Sequence, residues 1–102
     1  MSNASEVTFL GRLGKNPELK YSKDQKPVCY LSVAEKVKDT QATHWHQVIV
    51  FGKQAEACSI YLKKGSIVFV NGKAELKDYI NIQGVKKEFT EIRANNVGFS
   101  SL

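Results

Sequence analysis

Five runs rich in β-branched and aromatic residues, broken once by a stretch of helical period, constrain this chain more than any other feature. Residues 6–13 (EVTFLGRL) read as a first strand, with Gly11 marking a bulge or bend. Residues 14–17 (GKNP) form a turn, and residues 18–21 resume the strand. Residues 28–35 alternate, with Cys29, Leu31 and Val33 on one face and Tyr30, Ser32 and Ala34 on the other. A polar loop is expected over 36–42, and residues 43–51 (THWHQVIVF) form a third strand. The period then changes over 52–64, where Ala57, Ile60, Tyr61 and Lys64 fall on helical spacing. Lys63-Lys64-Gly65 reads as a helix stop, with cations at the negative dipole end and glycine just beyond. Residues 66–79 form a fourth strand interrupted at Asn71-Gly72, 80–84 a hairpin tip, and 85–97 a fifth strand.

Three strands, a helix and two strands in so short a chain close into a barrel that removes the sheet edges. The expected fold is all-β with one short helix: a five-stranded Greek-key barrel of the oligonucleotide-binding (OB) type, with the helix between strands three and four. At 102 residues the chain is one domain, expected over 6–98. Residues 1–5 are expected to be a disordered N-terminus or a tag, and 99–102 a short C-terminal end. The net charge of +5 favours a polyanionic partner. There is neither a secretory signal nor a run of the about 18 apolar residues that a membrane span needs. Cys29 and Cys58 stand far apart. A cytoplasmic protein with both thiols reduced and buried is expected.

Several blocks carry a resemblance: GRLGKNPELKY at 11–21, THWHQVIVFGK at 43–53, YLKKGS at 61–66, VNGK at 70–73 and TEIRAN at 90–95. Taken in order and at these spacings, they resemble the bacterial single-stranded DNA-binding protein family. The resemblance implies an OB-fold, single-stranded DNA as ligand, and a homo-oligomer, a tetramer before a dimer. It also implies roles in replication, recombination and repair, at the nucleoid.

Binding single strands without sequence preference needs aromatic faces for bases and cations along the phosphates. Alternation groups Trp45, Gln47, Ile49 and Phe51 on one face of the third strand and His44, His46, Val48 and Val50 on the other. Both faces carry apolar residues, so the pattern leaves the core side open. The resemblance implies that Trp45 and Phe51 stack on DNA, and that Tyr79 occupies a stacking position usually held by Trp. Tyr30, opposite Cys29 and Leu31, is a further candidate. Lys53, Lys64 and Lys77 fall on basic positions of the family, Arg12 and Lys15 lie in the first strand and turn, and Lys73 is placed by proximity. The bland alternative makes Trp45 a core residue and each lysine a solvated charge.

His44, His46, Cys29 and Cys58 match no zinc spacing, so no metal or other cofactor is expected. The resemblance implies a subunit-interface position for His46. No nucleophile elbow, phosphate loop or carboxylate cluster is present, and the glycines of Gly11-x-x-Gly14 suit strand curvature, so no enzyme is expected. The chain also departs from the family. The long tail with an acidic tip has no counterpart before Leu102, as in a tail-less or truncated member. Glu75 and Asp78 stand in a hairpin strand that is usually basic, Gln47 replaces a usual Arg, and an aromatic near Lys36 or Val37 is missing. Weaker binding or a smaller site than is typical is expected. Two alternatives stand beside this reading: a primosomal-type accessory that mainly contacts replication proteins, and an RNA-binding barrel.

Overall fold

Successive side chains of a strand point to opposite faces, so each strand here must turn one apolar row inward. The computed structural model describes residues 5–36 and 43–99. Its elements are β1 (Ser5–Leu13), β2 (Glu18–Tyr21), β3 (Pro27–Lys36), β4 (Thr43–Phe51), α1 (Lys53–Tyr61), β5 (Ile67–Ile80) and β6 (Lys86–Phe99). The expected loop over 37–42 and most of both expected chain ends lie outside the described residues. Ser5 already belongs to β1, where it faces Ala74, and β6 continues two residues beyond the expected end at Val97.

The inward rows are Cys29, Leu31 and Val33 of β3, Val48 and Val50 of β4, Val68 and Val70 of β5, and Ile92 of β6, all at most 1% exposed. Phe9 and Leu13 complete the core from β1. Truncating a side chain as enclosed as Ile92 to Ala costs about 2–5 kcal/mol.

The sheet runs β1-β5-β6-β4-β3-β2, and a further β1–β3 pairing closes it. Every pairing is antiparallel except β4–β6. With one helix between the third and fourth strands of the closed barrel, this is the OB topology expected. The first of the five expected strands is divided by the 14–17 turn into β1 and β2, and β2 pairs only with β3. Closure depends on Gly11. There β1 leaves β5 for β3, and a Cβ would lie 2.5 Å from Val33 Cγ1 and 2.8 Å from the Ala34 carbonyl oxygen.

Three expectations need correction. Asn71-Gly72 does not interrupt the fourth strand; β5 is continuous, and the irregularity beside the pair is a bulge on β6, where Asn95 is the extra residue between the partners Asn96 and Ala94. α1 buries Ala55 and Cys58, with Leu62 just beyond its end, whereas Ile60 and Tyr61 are exposed. A nine-residue helix packed against β2, β3 and β4 takes its inner face from the barrel, and the few apolar residues of its sequence mark the wrong side. The helix also ends at Tyr61, so Lys63 and Lys64 lie past its last turn. The hairpin tip does fall where expected: Asn81 Oδ1 accepts from the backbone N–H of Gln83 and Val85, and Gly84 takes φ 80°. Among the described residues no helix is long and apolar enough to cross a membrane.

Candidate nucleic-acid interface

Since His46, Val48 and Val50 face inward, the other row of β4 must face out. Trp45 and Phe51 are 51% and 50% exposed, and Tyr79 on β5 is 51% exposed. The register extends this outer face into rows across four strands. Tyr30 (β3), Ile49 (β4), Arg93 (β6) and Lys73 (β5) form one row. Ser32, Gln47, Glu91 and Glu75 form the next. Beyond it stand Trp45, opposite Ala34, and Phe89, opposite Lys77. The sheet thus carries a basic row, a polar row and an aromatic row side by side.

Trp45 lies on a glycine seat. A Cβ on Gly14 would come within 2.5 Å of its Cζ3 and 2.6 Å of its Cη2, so only glycine lets that edge of the indole rest on the turn. The Gly14 N–H donates to the Ser32 carbonyl at 2.9 Å, which anchors that turn to β3. Strand curvature therefore accounts for Gly11 but not for Gly14. Tyr79 and Phe89 are diagonal neighbours across the hairpin, with ring centroids 6.0 Å apart. Trp45, Gln47, Tyr79, Phe89, Glu91 and Ser32, with His46 at one margin, line an open cleft of about 460 Å³. Tyr30 is partly buried, with Lys20 Nζ 5.7 Å from its ring centre.

The predicted cations divide. Lys73 lies in the basic row, Lys15 follows the seat of Trp45, and Lys53 opens α1 just after Phe51. Lys77 Nζ is held 3.2 Å from Glu75, and Lys86 lies 3.2 Å from Asp78. Arg12 and Lys64 line a second groove of about 670 Å³, with Leu10, Ile67, Phe69 and Phe99. The Arg12 guanidinium there donates to the Gly65 carbonyl at 3.0 Å. Arg93 and Phe89 escaped the sequence reading, although counting by twos from the buried Ile92 puts Glu91 and Arg93 on the outer face. Gln54, also missed, ties α1 to β6: its amide donates to the Asn95 carbonyl and accepts from the Val97 N–H, both at 2.9 Å.

His44 and His46 do share a face, with ring centroids 4.6 Å apart. His46 is buried within the single chain, stacked 4.1 Å from Phe9, with Nε2 2.8 Å from Glu35 Oε1. Burial pushes its pKa below the ordinary value, against the Glu35 hydrogen bond, which raises it. His44 Nε2 lies 2.9 Å from Thr90 Oγ1. Among the described residues no three His, Cys, Asp or Glu side chains gather as a metal-binding set. Cys29 and Cys58 are free and buried; burial raises both thiols, Cys58 to about 11.

The single-strand binding protein family matches residues 4–100 of this chain. Single-stranded DNA-binding protein 1 of Xylella fastidiosa is 34% identical over 105 residues, covering 95% of this chain and 77% of that protein. Single-stranded DNA-binding proteins of Neisseria meningitidis serogroups A and B are each 33% identical over 100 residues, covering 91% of this chain. The chain spans 58% of the length of those two relatives.

Proposed function

The chain belongs to the single-strand binding protein family, and from that membership and the outer face of its barrel we propose that it binds single-stranded DNA without strong sequence dependence. It acts by stacking and phosphate contact rather than by catalysis. The observation that carries the reading is Trp45, half exposed on its Gly14 seat beside Tyr79 and Phe89. Bases stack on Trp45, Tyr79 and Phe89, with Phe51 and Tyr30 extending the platform. Phosphates follow Lys73 and Arg93, with Lys15, Lys53 and Lys77 beside the path. This face lies on the second and third barrel strands and the hairpin loop, the usual ligand side of an OB-fold. Arg12 and Lys64, which line the second groove, stand apart from this path.

Replication, recombination and repair in the cytoplasm, at the nucleoid, are the setting this activity serves. Removing one stacked base platform costs about 1–3 kcal/mol. Trp45→Ala should therefore weaken binding of a labelled oligothymidine by about 5- to 150-fold in fluorescence anisotropy. Unchanged affinity would remove Trp45 from the site.

The second groove supports a homo-oligomer. Leu10 of β1 is 62% exposed and its partner Phe69 of β5 48%, and with Ile67 they form an apolar patch suited to a second copy of the chain. A tetramer is the favoured assembly. Phe69→Glu should lower the mass in sedimentation equilibrium, and a wild-type monomer would contradict the assembly. The accessory reading, in which replication proteins are the main partners, is favoured by one observation: Glu75 and Asp78 already occupy Lys77 and Lys86. Weak oligothymidine binding together with helicase co-purification would distinguish it.

A further inference from the structure

Glu91 stands in the interface without a part in phosphate binding or stacking. It lies in the polar row directly across from Glu75, and like charges opposite each other on one face of a sheet destabilise. Glu75 is relieved by Lys77. Glu91 has neither an ion pair nor a hydrogen-bond partner among the described residues, yet it is partly buried. Its side chain lines the cleft with Trp45, Tyr79 and Phe89, and Gln47 and Ser32 stand beside it in the same row. A bare carboxylate in the wall of an aromatic cleft, in a chain of net charge +5, repels phosphates and attracts neutral hydrogen-bond donors.

Resting on the reading that this cleft holds the bases of single-stranded DNA, we propose that Glu91 makes it selective for guanine. An ionised carboxylate only accepts hydrogen bonds. In a single strand the Watson–Crick edges of the bases are free to be read. Guanine alone presents two adjacent donors on that edge, N1–H and the N2 amino group, which match the two carboxylate oxygens as an arginine fork does. Adenine and cytosine set one amino donor beside a ring-nitrogen acceptor. Thymine flanks its single N3–H with two carbonyl oxygens, which a carboxylate repels. Gln47, neighbouring Glu91 on β4, carries an amide N–H for guanine O6. The order of preference is guanine, then adenine and cytosine, then thymine.

The test compares oligothymidine of about eight nucleotides with the same oligomer carrying one central guanine, by quenching of Trp45 emission, for the wild-type protein and Glu91→Gln. Glu91 points outward, so the substitution leaves the barrel core intact. The wild type should bind the guanine oligomer about tenfold more tightly, the scale of one bidentate contact to a base. Glu91→Gln should lose that gain while binding plain oligothymidine more tightly than the wild type, because a charge that repels phosphate is gone. Equal wild-type affinities for the two oligomers, or a guanine preference that survives Glu91→Gln, would overturn the proposal with single-strand binding left standing. Failure of every oligomer to quench Trp45 would overturn both readings.

Discussion

Trp45 owes its exposure to what lies beneath it. With a Cβ on residue 14 only 2.5 Å from the indole, Gly14→Ala must swing the ring off its seat. The backbone of Gly14 is not left-handed, so the cost falls on the indole and the melting temperature should hardly change. Oligothymidine affinity should fall about tenfold and the emission maximum should shift, both readable in one fluorescence titration. His46 contributes at the same scale. Its depressed pKa means that the unfolded chain takes up a proton more readily than the folded one. The stability it confers is complete above the usual value of 6.5 and is lost as pH falls through the lower folded pKa. His46→Gln cannot take up that proton, so the gap in melting temperature between wild type and variant should shift in the variant's favour as pH drops from about 7.5 to about 5. A gap constant with pH would place the titration elsewhere.

At the scale of elements, the β5–β6 hairpin is where charge was spent internally. Glu75 and Asp78 hold Lys77 and Lys86 at 3.2 Å each. Both pairs are well exposed, so they add little stability but compete with phosphates for the two lysines. The double variant Glu75→Gln, Asp78→Asn should steepen the dependence of log affinity on log salt by about 1–2, measured by titration at several salt concentrations. An unchanged slope would show that the hairpin lies off the DNA path. The strands were legible because period-2 alternation is a local signal, and the rows from Cys29 and Ile49 fall where it puts them. The helix face was not, since α1 is short and its buried side is chosen by the barrel. The seat under Trp45 and the pairing of Glu91 with Glu75 were equally hidden: each joins residues far apart in sequence, through registers that only the closed sheet defines. Arg93 lay within reach of the alternation, had Ile92 been recognised as the buried residue of its strand.

For the whole molecule, closure divides the outer surface into two sectors. The sector across β3, β4, β6 and the far half of β5 carries aromatic and basic side chains in register. The sector across β1 and the near half of β5 carries the apolar patch around Leu10 and Phe69. On the reading proposed above, one barrel holds a strand on the first sector and another copy of itself on the second. Because Trp45 is the only tryptophan, its emission reports on the first sector alone. The most direct measurement is a titration of wild-type emission with oligothymidine at low and then rising salt. Quenching that saturates, with log affinity falling against log salt at a slope of about −3.5 for about five neutralised phosphates, is the predicted result. Emission unmoved by oligothymidine at low salt would contradict single-strand binding by this face.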